Sequence, residues 1–179
     1  MVILTHPYWI RIHDRGGRTI GDFTPYDLRL SQIPCDVLVF KEGDYAVAKD
    51  NEAGVIARST DHAEVIQKAV DHVAGKGGGK VYVVKDEYQL TSDINLKSNV
   101  ELISNGATLK ASTNFESIIM IINESNIKVK GFNLDGNNIV DTVLTISKQA
   151  GHPDIENFVF EDLEIKNNNP DCLLYTSDA

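Results

Sequence analysis

The chain has 179 residues, with 26 acidic against 17 basic side chains and a formal net charge of −9. That length can bury a real core in one domain, and the acidic balance disfavours a nucleic-acid partner because no basic face offsets the phosphates. Hydrophobic residues make up 42% and charged residues 24%, an ordinary globular balance, and no apolar run approaches the ~20 residues that span a bilayer.

In chain order, the start Met1–Pro7 lacks a basic region and a small-residue cleavage site, so no signal peptide is read there. Residues 1–58 read as a β-rich N-terminal extension. Tyr8–Ile12 and Asp36–Phe40 have strand composition, interrupted by Arg15-Gly-Gly-Arg18 and Thr24-Pro25. Asp36 to Ala48 has the form of a hairpin with its turn at Lys41-Glu-Gly-Asp44; a second turn, Asp50–Gly54, precedes Val55–Ala57. Trp9, Tyr8 and Tyr26 suit either a sugar-stacking platform or, more simply, packing of the extension. Cys35 and Cys172 support neither a disulfide framework nor a C-x-x-C metal site.

One helix follows. Asp61 with Glu64 three residues on fits a capping pattern, and Val65, Ile66, Ala69, Val70, Val73 and Ala74 form one apolar stripe. The helix stops at the glycine run Gly75–Gly79, and a strand begins at Lys80-Val-Tyr-Val-Val84. That run is not a phosphate-binding loop: it follows a helix instead of preceding one, and Val81 replaces the hydroxyl residue. His62 and His72 do not share a helix face, no H-x-x-x-H occurs, and no metal site is read from the histidines, which are expected on surfaces and loops.

The asparagines locate the rest of the fold. Thirteen of the 14 fall between Asn95 and Asn169, in a stretch also rich in Val, Ile, Leu and Phe, which predicts short strands joined by tight turns. The segment from Asn126 to Asn137 aligns without gaps to Asn157–Asn168, and Asn99 opens a third copy after allowing a two-residue insertion before Ala107. Apolar segments at Ser117–Ile122 and Thr142–Ile146 precede the last two copies. A period of this size without helical patterning predicts a parallel β-helix. Val100/Ile127/Phe158, Leu102/Val129/Phe160, Ala107/Phe132/Leu163 and Leu109/Leu134/Ile165 are the expected inward columns. Asn99/Asn126/Asn157 would form an amide ladder at a corner, and the helix would cover one end of the stack.

Asp61–Val70, Gly77-Gly-Gly-Lys-Val-Tyr-Val-Val84, Tyr88-Gln-Leu90 and Asn95–Leu102 together resemble the N-terminal part of the pectate-lyase-like superfamily. Lys85-Asp86-Glu87 departs from it, standing where a proline and a glycine usually lie. The resemblance implies an all-β fold: a single-stranded right-handed parallel β-helix over 59–171, with a capping α-helix and the β-rich extension. It implies a polysaccharide partner, uronate-type by analogy, and lyase or glycosidase chemistry whose catalytic groups lie in later repeats, so that this segment alone is inactive. No cofactor is visible, and calcium enters only through the lyases of the superfamily. It also implies an extracellular, cell-surface or virion-surface location, and it is compatible with a homo-oligomer. The alternative is a non-enzymatic adhesin or tail-spike-like stalk. Residues 172–179 break the repeat and resemble a translated adaptor, so they are set apart as a tail and a longer natural chain is expected.

Within the visible repeats, catalytic residues are not identified. The carbohydrate-binding candidates are Asp135, Asn137 and Asn138 in Asn133-Leu-Asp-Gly-Asn-Asn138, with Asp162 and Glu164 one repeat later. The alignment stacks Asp135 between Lys110 and Lys166, which reads as a charge ladder on the outer face. No column holds two acids, so neither a calcium site nor a carboxylate pair of the glycosidase kind is expected here.

Overall fold

The computed structural model describes residues 34–50 and 52–167 in full, and strands at residues 2–6, 9–13, 19–23 and 175–178 by their backbone. The chain divides into two compact units, Met1–Pro34 and Cys35–Ala179. In the first, β1 (Val2–His6), β2 (Trp9–His13) and β3 (Thr19–Phe23) form an antiparallel sheet in sequence order. The proposed platform of Trp9, Tyr8 and Tyr26 concerns side chains outside the described residues.

The second unit is mostly β, with one helix among the described residues. β4 (Val37–Glu42) and β5 (Tyr45–Asp50) make the expected hairpin around Gly43-Asp44, and β6 (Gly54–Ser59) adds antiparallel to β5. The helix α1 (His62–Gly75) starts where the Asp61 carboxylate accepts the Glu64 amide N–H at 3.2 Å. Its stripe of Val65, Ile66, Ala69, Val70 and Val73 is buried in the same core as Val81, Val100 and Leu102. His62 departs from the expected surface histidine. It is 5% exposed, and its Nδ1 accepts the Gln89 amide N–H at 2.9 Å. Nε2 therefore carries the proton and donates to the Asp44 carbonyl at 3.1 Å. The ring thus ties the helix start to the hairpin turn and to the segment after Val84.

Then follow β7 (Gly79–Val83), β8 (Glu87–Leu90), β9 (Ile94–Asn95), β10 (Val100–Ala111), β11 (Ser117–Ile122), β12 (Ile127–Asp135), β13 (Thr142–Lys148), β14 (Phe158–Glu161), β15 (Glu164–Lys166) and β16 (Tyr175–Asp178). The larger sheet runs β14-β12-β10-β7-β4-β5-β6, with β8 beside β10 and β15 beside β12. It is mixed: pairing is parallel from β14 to β4 and antiparallel from β4 to β6. Residues 37–59, read from sequence as part of the extension, thus share a sheet with the repeats. β4 joins it because its continuous apolar run Val37-Leu-Val-Phe40 is buried throughout, as a strand covered on both faces must be. A second sheet, β16-β13-β11-β9, is parallel throughout.

The repeat alignment gives the strand register. Leu102 pairs with Val129 and Val129 with Phe160; Leu109 pairs with Leu134 and Leu134 with Ile165. Alternation along β10 and β12 puts Leu102, Leu109, Val129 and Leu134 fully inside. The column fades at the last strand, where Ile165 is 44% exposed. The two-residue insertion is a bulge: Ser104-Asn105-Gly106 of β10 opposes the single residue Gly131 of β12.

Among the described residues seven asparagines, including Asn99, Asn126 and Asn157, have left-handed backbones. Asn accepts that geometry at less cost than most side chains, which explains the compositional excess. At the corner, Asn157 Nδ2 donates to Asn126 Oδ1 at 2.8 Å and Asn126 Nδ2 to Asn99 Oδ1 at 3.0 Å. Asn126→Ala is expected to cost about 2 kcal/mol, combining the left-handed penalty with two lost amide bonds. Asn126→Gly should cost about 1 kcal/mol, because glycine retains the backbone and loses only the ladder. Urea midpoints read both values, and equal losses would remove the conformational part of this account.

Candidate functional site

The second halves of the repeats, β8, the end of β10, the end of β12 and β15, lie side by side. Their inward residues are the core leucines and Tyr88, so period-2 alternation turns the intervening residues outward. Two polar columns result. The first is Glu87–Thr108–Asn133–Glu164 and the second is Gln89–Lys110–Asp135–Lys166. Asn133 Nδ2 donates to Thr108 Oγ1 at 3.4 Å, and Gln89 Nε2 donates to Glu87 Oε1 at 2.6 Å.

The structure brings Asp135 and Glu164 onto this face, on neighbouring strands and two residues out of step. Asp135 lies between Lys110 and Lys166 in register, as the alignment predicts. The charge ladder does not form, however. Asp135 Oδ1 accepts the Asn137 amide N–H and Asn167 Nδ2, both at 2.9 Å, and Lys166 pairs with Glu164 at 2.9 Å. Asn137 and Asn138 lie in the turn beyond β12, both left-handed. Asn137 Nδ2 donates to the Ala111 carbonyl at 3.0 Å, and the Asn138 amide N–H donates to the Asn167 carbonyl at 2.6 Å. The Asn137 side chain is thus committed to the turn, whereas Asn138 enters it through its backbone and keeps an exposed side chain. Asp162 lies apart from the columns, at the left-handed bend between β14 and β15, 3.5 Å from Lys130.

The first halves of the repeats present ion pairs outward. Lys80 faces Glu101 at 3.8 Å, and Glu161 takes both Lys128 at 3.3 Å and Lys130 at 3.0 Å. Hydrogen bonds from Lys130 and then Lys128 hold the Glu161 carboxyl below its ordinary range, and the Glu161 bond raises Lys130 in turn.

Thr108, Asn133, Lys110 and Gln89 escaped the sequence reading as site residues. Extending the repeat one copy upstream, to Glu87-Tyr-Gln-Leu90, would have revealed the columns. Among the described residues no three His, Cys, Asp or Glu side chains converge in a manner suited to a metal. Of the three acids on the face, Glu164 is ion-paired with Lys166, Asp135 accepts two hydrogen bonds, and Glu87 accepts one from Gln89.

No curated protein and no solved structure matches the chain. A family model described as rhamnogalacturonase A/epimerase, pectate lyase-like, matches residues 54–174, about two-thirds of its length. That span takes in α1, strands β6 to β15 and the two polar columns, and the chain belongs to this rhamnogalacturonase A/epimerase, pectate lyase-like family.

Proposed function

We propose that the repeats wind as a right-handed parallel β-helix whose two polar columns form a polysaccharide-binding face. Supporting the winding are parallel pairs whose register is broken only by the bulge at Ser104–Gly106, and the strong right-handed preference of parallel crossovers. The observation that carries the function is the column pair on a chain of this carbohydrate-directed family. Side-by-side amides, a hydroxyl and carboxylates give a sugar chain alternating donors and acceptors. An extracellular or cell-surface setting follows from such a partner.

Binding without bond cleavage is our reading for these repeats, supported by Asp135 being held in the turn, Glu164 in an ion pair and Glu87 at the far end of its column from Glu164. This places the protein nearer the adhesin-like alternative than a self-sufficient lyase or glycosidase. Affinity electrophoresis in polysaccharide gels tests it: Thr108→Ala and Asn133→Ala should each weaken retention by about 3- to 10-fold, the worth of one hydrogen bond. Reducing-end and unsaturated-end assays on the same polysaccharides should register no product. Product formation abolished by Glu164→Gln or Asp135→Asn would overturn the non-catalytic reading.

A further inference from the structure

We infer that the polar face takes a neutral, hydroxyl-rich polysaccharide and not a polyuronate; this rests on the reading of that face as the binding surface. A polyuronate presents a carboxylate on every sugar and needs cations that are free to meet it. Here the cations are already engaged. Lys80, Lys128, Lys130 and Lys166 each face a glutamate within 4 Å. A polyanion could recruit them only by setting its carboxylates beside Glu101, Glu161 and Glu164, at a repulsive cost that offsets the new attraction. Among the described residues Lys110 is the one lysine of the two columns with no ion pair, and Asp135 is its register neighbour. At low salt the net charge of −9 adds a long-range term unfavourable to a polyanion.

A neutral glycan meets none of these obstacles. Glu87, Asp135 and Glu164 can accept from sugar hydroxyls, and Gln89, Thr108 and Asn133 can donate or accept. Such contacts are short-ranged, so binding should be nearly independent of salt, whereas recruitment of a polyanion by lysines would weaken steeply as salt rises.

The test uses the full chain in affinity gels of polygalacturonate, with and without calcium, and of neutral galactan, arabinan and dextran, at about 50 mM and about 500 mM salt. The expected result is retention by at least one neutral polymer that changes less than about twofold with salt. Asn133→Ala should weaken it about 3- to 10-fold, and Lys68→Ala, on the helix and outside both columns, should leave it within twofold. Polygalacturonate retention equal to or stronger than that of every neutral polymer, or appearing only with calcium, would overturn the neutral-substrate inference while leaving the face as the binding surface. Retention by no polymer, or retention unmoved by both Thr108→Ala and Asn133→Ala in variants with native circular dichroism, would overturn the face itself and this inference with it.

Discussion

Gly131→Ala should destabilise the fold by about 4 kcal/mol or more, enough to unfold a marginally stable domain at room temperature. Gly131 is the single residue of β12 that opposes the three-residue bulge of β10, with a backbone φ of +77°. A Cβ there would lie 2.1 Å from the Ser104 carbonyl oxygen and 2.9 Å from its carbon. Ser104 has nowhere to retreat: its hydroxyl donates to the Val83 carbonyl at 2.7 Å and accepts the Ala107 amide N–H at 2.9 Å. The strands must therefore separate at the bend, beside the fully buried Phe132. Gly43→Ala is the control, since its φ of +62° is similar but a Cβ would meet nothing within 4 Å. It should cost only the conformational penalty of about 1–2 kcal/mol. Urea midpoints for the two variants decide the matter, and equal losses would show that close packing at Gly131 is not what its glycine is for.

Asp50→Ala is expected to cost about 3 kcal/mol, because one carboxylate joins the end of β5 to the end of α1. Its side chain is 3% exposed. Oδ1 accepts the amide N–H groups of Glu52 at 2.6 Å and Ala53 at 2.9 Å, while Oδ2 accepts Lys76 Nζ at 2.7 Å and His72 Nε2 at 2.9 Å. The Lys76 bond, followed by that from the Ala53 amide, holds the carboxyl well below the usual carboxylate range despite its burial. The folded-state pKa is thus depressed relative to an unfolded value of about 3.9. The stability it contributes is complete above that value and drains away as pH falls through the range beneath it. Unfolding free energy measured from about pH 5 to about pH 2 should decline less steeply in Asp50→Asn than in the unmodified chain. Parallel acid limbs would mean that another carboxylate governs the loss. Lys76→Ala should cost less than Asp50→Ala, since its side chain is 45% exposed and its charge is screened by water.

The contrast between these two sites shows which features are readable along the chain. The bulge opposite Gly131 was visible as a two-residue insertion, because periodic copies expose any change in their own spacing. The Asp50 hub was not visible. Its partners His72 and Lys76 lie 22 and 26 residues away, and nothing local marks them as neighbours. His62 followed the same pattern: the helix was legible from Asp61 and Glu64, but its first residue is buried by the Asp44 turn and by β8. On the candidate site the register of Lys110, Asp135 and Lys166 was legible, while the choice of partner was not.

By itself, then, the sequence determined the features that repeat or that act within one turn of chain: the capped helix, the asparagine corners, the inward columns and the order in which strands stack. These follow from periodicity, and a residue's face and register are set by its position in the period. Only the tertiary structure decided which polar groups are already satisfied. Whether Lys166 reaches Asp135 or Glu164, and whether Asp135 is free or caps a turn, depends on side-chain direction and on whichever donor lies nearest in space. That choice holds Asp135 in the turn and Lys166 on Glu164, so the row of alternating charges set by the register does not become a chain of ion pairs.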